Sequence, residues 1–120
     1  MEKFEVVKAY WAAEEAGDLA RVLSHFHEDA TFVFPGLELR GREAIRTYYE
    51  RVIAENVELR VTPTNTIEQG SQIVVEYTCR IVGRSGGVTE AHGCNVFTID
   101  AGQIRRLRSY FIPDITTGED

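Results

Sequence analysis

The chain has 120 residues and a formal net charge of −6, with 43% hydrophobic and 27% charged residues. This size and composition are typical of one soluble globular domain, predicted here to span residues 1–120. The acidic balance argues against nucleic-acid binding. Its basic cluster, Arg105, Arg106 and Arg108, falls in a strand pattern that divides the three side chains between two faces.

No stretch is long and apolar enough to span a membrane, so no membrane association is expected. The N-terminal segment MEKFEVVKAYW is amphipathic and acidic, unlike a signal or transit peptide, so we expect a cytoplasmic location. Cys79 and Cys94 match no zinc-binding spacing, and the sequence therefore predicts no metal site.

The N-terminal quarter of the chain has helical periodicity. Val7 and Trp11 lie on one stripe of a first helix, predicted over about residues 3–16. Gly17 is expected to end this helix in a left-handed conformation, and Asp18 to cap a second, short helix that stops near the segment HED.

Two short strands and a third helix follow. ATFVFP reads as a strand ended by Pro35 and Gly36, and LELR as a strand that pairs back on it. Gly41 begins a third helix, REAIRTYYERVIAEN, whose apolar residues again have helical spacing.

The rest of the chain has the pattern of four antiparallel strands: residues 57–67, QIVVEYTCRIV, VTEAHGCNVFTI and IRRLRSYFI. Because helices and strands are segregated, the fold class is α+β. We predict a cone-shaped, curved, mostly antiparallel (mixed) sheet wrapped around three N-terminal helices. Pro63 and Gly93 are the predicted sites of the bulges that bend its strands.

The segment AYWAAEEAGDLARVLSHFHEDATFVFPG, followed by LRGREAIRTYYERV, resembles the nuclear transport factor 2-like superfamily. It is most similar to the ketosteroid isomerase-like and SnoaL-like polyketide cyclase branches. The hairpin F-x-I-D-x-G-x-I and the YF pair in the last strand also fit. The resemblance implies a cystatin-like roll, one deep apolar pocket per chain and a homodimer through the sheet face. Relatives isomerise, cyclise, dehydrate or hydrolyse small hydrophobic molecules, usually without a cofactor, and others only bind.

The same resemblance assigns two candidate site residues. VVKAYWAA matches the motif in which steroid isomerases carry an oxyanion-donating tyrosine, which is Tyr10 here; the alternative is a core aromatic with a locally satisfied hydroxyl. The isomerase aspartate is replaced by Phe34, which cannot accept a proton and is expected to form an apolar wall. The position of the second acid, and of the cyclase base, is Asn95. Its amide can donate to a carbonyl or enolate oxygen but is not a strong base.

Asn95 should face the cavity with Gly93 and Phe97, because side chains alternate along a strand. The alternative is that a local or water-mediated hydrogen bond satisfies the amide. His92 alternates to the other face, but a bulge at Gly93 would turn it inward, where it would be a base near neutral pH. Asp114 is the other candidate for moving a proton, provided that the last strand continues.

Charged residues that serve related epoxide hydrolases correspond to Tyr77, Cys79 and Ser109 here, so water activation by that route is not expected. The side chains expected to shape a substrate pocket are Trp11, Phe34, Tyr48, Tyr49, Tyr77, Phe97, Leu107, Ser109 and Phe111.

Three functions remain open. The first is a cofactor-free isomerase, cyclase or dehydratase that acts on a small hydrophobic, oxygenated substrate through an enol-like intermediate. The second is a non-catalytic protein that binds a small hydrophobic ligand, which the missing acids at positions 34 and 95 favour. The third is a protein-interaction module that uses the outer sheet face, with Arg106, Arg108 and Tyr110.

Overall fold

The structure is a computed structural model, and it describes residues 2–113. Within this range lie three helices, α1 (Lys3–Ala16), α2 (Leu19–Ser24) and α3 (Arg42–Glu55). The strands are β1 (Phe26–Phe34), β2 (Leu37–Arg40), β3 (Asn56–Gln69), β4 (Gln72–Gly83), β5 (Val88–Asp100) and β6 (Gln103–Pro113). They form one sheet in the order β2-β1-β6-β5-β4-β3, in which only the β1–β6 pair is parallel. The predicted α+β class, with a curved and unclosed mixed sheet and three helices, is confirmed.

The first two helices are joined as the sequence predicts. Gly17 has φ 67° and donates its N–H to carbonyls at the end of α1, a conformation that favours glycine. The Asp18 carboxylate accepts a hydrogen bond of 3.2 Å from the Arg21 N–H and caps α2.

The second helix is shorter than its apolar pattern indicates. Phe26 continues the helical spacing of α2, but it is the first residue of β1. The Ile104 N–H donates to the His25 carbonyl at 2.7 Å, and Phe26 lies opposite Ile104 in the sheet. Pairing with the last strand therefore overrides the local helical periodicity, because a ladder stabilises residues that a short helix would leave frayed.

One of the two predicted bulges is present and the other is not. The β3–β4 register shifts between Pro63 and Asn65, which confirms an irregularity at the proline. The β4–β5 and β5–β6 registers run through Gly93 without a shift, so the predicted bulge there is wrong. The break in the β5–β6 ladder falls instead at Arg105, the residue between Ile104 and Arg106, which has no partner on β5.

Gly93 has a packing role. A Cβ built on Gly93 would lie 2.3 Å from the Tyr77 Cζ on the neighbouring strand, far inside van der Waals contact. The phenol ring of Tyr77 therefore lies directly over the backbone of β5. The position needs glycine because an aromatic ring occupies the space of the missing side chain.

The concave face of the sheet, together with α1 and α3, encloses the core. The convex face is more exposed, and the Tyr110 and Ile112 side chains retain 44% and 69% of their accessible surface. The predicted homodimer through this face stays a prediction. Among the described residues, no helix is long and apolar enough to cross a membrane.

Gly93→Ala should lower the free energy of unfolding by about 1–3 kcal/mol, because the added methyl group overlaps the Tyr77 ring. Urea unfolding measures the change. Gly87→Ala is the matched control, since an added Cβ meets open space there. The penalty of Gly93→Ala should shrink in a Tyr77→Ala background, and an equal penalty in both backgrounds would refute the packing explanation.

Candidate functional site

A cavity of about 180 Å³ opens between the concave face of the sheet and helices α1 and α3. Its walls are mostly aromatic and aliphatic, and a few polar groups point into it. Of the residues predicted from the sequence, those that line it are Tyr10, Trp11, Phe34, Tyr48, Tyr77, Asn95, Ser109 and Phe111. Tyr10 and Asn95 thus face one cavity, although α1 and β5 lie far apart in the chain.

Three of the predicted pocket residues do not line this cavity. Phe97 and Leu107 are fully buried in the core beneath it. Tyr49 is buried behind the lining residues, and its hydroxyl donates a hydrogen bond to Glu14, which lines the cavity. Strand alternation predicts the inward face correctly, but it does not give the depth at which helix packing closes the hollow.

Tyr77 and Asn95 form a buried pair on neighbouring strands. The Tyr77 hydroxyl donates to Asn95 Oδ1 at 3.0 Å. Desolvation raises the pKa of Tyr77 to about 12, although a hydrogen bond with Ser109 acts in the opposite direction. Because Oδ1 accepts from the phenol, the Asn95 amide N–H groups are the donors that remain for a ligand.

Glu14 is the carboxylate of this cavity, and sequence reasoning missed it. Its Oε2 accepts hydrogen bonds from the Tyr49 hydroxyl at 2.5 Å and from the Tyr10 hydroxyl at 3.1 Å. The two phenol hydroxyls also contact each other, so the three groups close a ring between α1 and α3. The signal for Glu14 lay in the sequence: it continues the buried stripe of Val7 and Tyr10 by one more turn.

The ring has three polar contacts, but the two phenols supply only two protons. A protonated Glu14 supplies the third, whereas an ionised Glu14 leaves one contact without a proton. Desolvation raises the pKa of the Glu14 carboxyl to about 7, and the hydrogen bonds from Tyr49 and Tyr10 limit the rise. The carboxyl is therefore placed to exchange a proton near neutral pH.

Glu14 also borders a second, open cleft of about 370 Å³. Glu15, Glu58 and Arg84 lie along this cleft, which shares Glu14 and Asn56 with the interior cavity. The Arg84 guanidinium donates to the Ala54 carbonyl at 2.8 Å. The carboxyl of Glu14 thus stands where the apolar interior meets a polar surface.

Of the two residues predicted as bases, His92 is not in the cavity. His92 is exposed on the outer face, because the uninterrupted register at Gly93 keeps it on the side opposite Asn95. The alternative in which a bulge at Gly93 turns His92 inward is therefore wrong. Asp114 lies outside the described residues. Within residues 2–113, no three histidine, cysteine or acidic side chains come together in a way that could bind a metal ion.

Several solved structures share this fold. The protein TerC, co-crystallised with polyporic acid, is 24% identical with a TM-score of 0.79, over 91% of this chain and 90% of that one. An epoxide hydrolase of the LEH-like type from M. tuberculosis is 22% identical with a TM-score of 0.80, over 90% of this chain and 80% of that one. A protein from Shewanella denitrificans OS-217, named as a SnoaL-like polyketide cyclase, is 14% identical with a TM-score of 0.80, over 94% and 90% of the two chains. At these identities the likeness shows the fold and does not transfer an activity.

No curated protein matches the chain. The sequence profile of the SnoaL-like domain, however, matches residues 7–107, which include Tyr10, Glu14, Tyr49 and most of the sheet. The chain therefore belongs to the SnoaL-like domain family.

Proposed function

We propose that the protein is a cofactor-free acid–base enzyme that acts on a small, hydrophobic, oxygenated substrate through an enol-like intermediate. The reaction is an isomerisation, a cyclisation or a dehydration. These three share a first step, the removal of a proton from a carbon next to a carbonyl group. The observation that carries the proposal is the Glu14 carboxyl, which faces an aromatic cavity with a pKa of about 7.

In this proposal the Glu14 carboxylate takes the proton, and the electron pair of the C–H bond moves to the carbonyl oxygen. The Asn95 amide donates to that oxygen as its charge develops. An isomerisation ends when the protonated Glu14 returns the proton to a different carbon, so that no proton is gained or lost. Glu14 thus takes the role first predicted for His92 or Asp114.

We propose that Tyr10 acts as a positioning residue and not as the oxyanion donor that its motif predicts. Its hydroxyl already contacts Glu14 and Tyr49, and these contacts hold the carboxylate in one orientation. A hydrogen bond to the ionised carboxylate also favours the charged form, which keeps the base available at neutral pH.

A non-catalytic binding protein for a small hydrophobic ligand is the second candidate. It is supported by the apolar walls and by the co-crystallised small molecule in TerC. Glu14 favours the enzyme over the binding protein. A site for a neutral apolar molecule does not need a carboxyl group, and burying one lowers the stability of the fold because desolvation opposes its ionisation.

Glu14→Gln should lower kcat/KM for a proton-abstraction probe by at least about 100-fold, because glutamine cannot accept a proton. A suitable probe is 5-nitrobenzisoxazole, a small aromatic molecule that a base converts into a coloured phenolate. For the wild-type protein, kcat/KM should rise with pH, with a midpoint near 7. Glu5→Gln, the same change at an exposed position of α1, is the control. Equal turnover by the wild-type and Glu14→Gln proteins would contradict the proposal.

The titration of Glu14 can be tested without a substrate. Its raised pKa means that the folded protein holds a proton that the unfolded chain releases between about pH 4.5 and 7. The stability supplied by that proton is present at low pH and is lost as the pH rises through 7, by up to about 3 kcal/mol. Urea unfolding at pH 5 and pH 8 should show this loss in the wild-type and Glu5→Gln proteins but not in Glu14→Gln. The same loss in Glu14→Gln would assign it to another group.

Asn95 and Tyr10 should be separable by their pH profiles. Asn95→Ala should lower kcat/KM for the same probe by about 10- to 100-fold and leave the midpoint unchanged, because the amide acts on the developing oxyanion. Tyr10→Phe should move the midpoint upward, because it removes a hydrogen bond that lowers the pKa of Glu14. An unchanged rate and midpoint in the double variant would disprove both roles.

A further inference from the structure

The interior cavity carries one group that ionises near neutral pH. Among its described lining residues, Glu14 is the only acidic or basic side chain. Desolvation, with the charge of Glu14 as a second cause, raises the pKa of Tyr48 to about 12 and raises the pKa of Cys79. Tyr77, whose pKa is also raised to about 12, stays neutral as well. Once Glu14 is ionised, the field inside the cavity is therefore that of a single negative charge.

The Glu14 carboxylate has one oxygen engaged and one available. Both phenolic hydrogen bonds end on Oε2, and within residues 2–113 no hydrogen bond to Oε1 is formed. Oε1 is not fully buried, so it retains contact with open space. A ligand that donates to Oε1 would supply hydrogen bonding and, if it is cationic, a counter-charge.

The walls of the interior cavity suit an organic cation. Trp11 and Tyr77 are packed edge to face with ring centroids 5.1 Å apart, and Phe34 and Tyr48 pack on another wall at 5.3 Å. The faces of aromatic rings attract ammonium groups, and their apolar surface attracts the hydrocarbon part of such a ligand.

The outer cleft beside Glu14 has both acidic and basic groups. Glu15 and Glu58 border it together with the Arg84 guanidinium, and Glu58 is paired with Arg60 at 3.2 Å. Arg84 is engaged with the backbone carbonyls of Ala54 and Asn56. The net charge of −6 adds a general attraction for cations.

We propose that the cavity binds small hydrophobic amines as ammonium ions, with the Glu14 carboxylate as the counter-ion and the aromatic walls around the hydrocarbon part. This inference goes beyond the proposed reaction, because it requires the carboxylate and the walls but no turnover. An ammonium ion paired with Glu14 also occupies the base, so such amines are inhibitors of any proton transfer that Glu14 performs.

Binding of an ammonium ion is linked to the ionisation of Glu14. The groups that face Glu14, and so share in its titration, are Tyr10 and Glu15 on α1, Tyr48 and Tyr49 on α3, and Tyr77 and Cys79 on β4. The phenols and the thiol stay neutral near pH 7, and the pKa of Glu14 is raised further by the negative charge of Glu15. Below pH 7 the bound amine must displace the Glu14 proton into solvent, which weakens its binding.

Three probes of similar shape and different charge test the proposal: benzylamine, benzyl alcohol and benzoate. Trp11 is the single tryptophan of the chain and lines the cavity, so its fluorescence reports occupancy, and calorimetry gives the affinities. At pH 8 benzylamine should bind at least about ten-fold more tightly than benzyl alcohol, and benzoate should bind most weakly. At pH 5.5, where benzylamine remains cationic, its advantage should fall to less than about three-fold.

Variants of Glu14 assign the preference to its charge. Glu14→Gln should remove the advantage of benzylamine over benzyl alcohol, whereas Glu14→Asp, which keeps the charge, and the exposed control Glu5→Gln should retain it. Circular dichroism confirms that each variant is folded. A wild-type protein that binds benzyl alcohol as tightly as benzylamine at pH 8 would overturn the proposal, as would a preference that survives in Glu14→Gln. Neither result depends on turnover of the proton-abstraction probe, so the proposed reaction and the ligand class can fail separately.

Discussion

A carboxyl group at the edge of an apolar cavity is the constraint around which this site is organised. Removing it from water opposes ionisation, and the hydrogen bonds from Tyr10 and Tyr49 partly offset that cost. The two opposing effects leave the group titrating near neutral pH. They also tie α1 to α3, because Tyr49 belongs to a helix that begins more than 25 residues after α1 ends. The same three side chains, Glu14, Tyr10 and Tyr49, thus connect the two helices and form the titrating centre of the site.

The sheet supplies the opposite wall and its polar contact. Tyr77 can lie across β5 only because Gly93 has no side chain, and in that place its hydroxyl meets the Asn95 amide. The cavity therefore has a carboxylate from the helices and an amide from the sheet. Membership of the SnoaL-like family explains the framework but not the chemistry, because this framework carries different activities in different proteins.

Local patterns in the sequence were sufficient for most of the fold. Helical spacing, the Gly17 and Asp18 boundary and the alternation of the last four strands each depend on residues close in the chain. The exceptions involve distant pairing. Phe26 leaves the helical pattern because it pairs with Ile104 in the sheet. Gly93 in a strand suggests a bulge, but the structure shows that the Tyr77 ring packs against it. Neither neighbour can be identified from the residues beside it.

The sequence by itself determined the inward face of β5, and so the orientation of Asn95, because alternation along a strand is a local rule. It also contained the spacing that puts Glu14 on the stripe of Tyr10. Only the tertiary structure decided that this carboxyl faces a cavity, meets Tyr49 and titrates near pH 7. Desolvation and hydrogen bonding depend on which groups from distant elements surround an atom, and no pattern of neighbours in the chain specifies that environment.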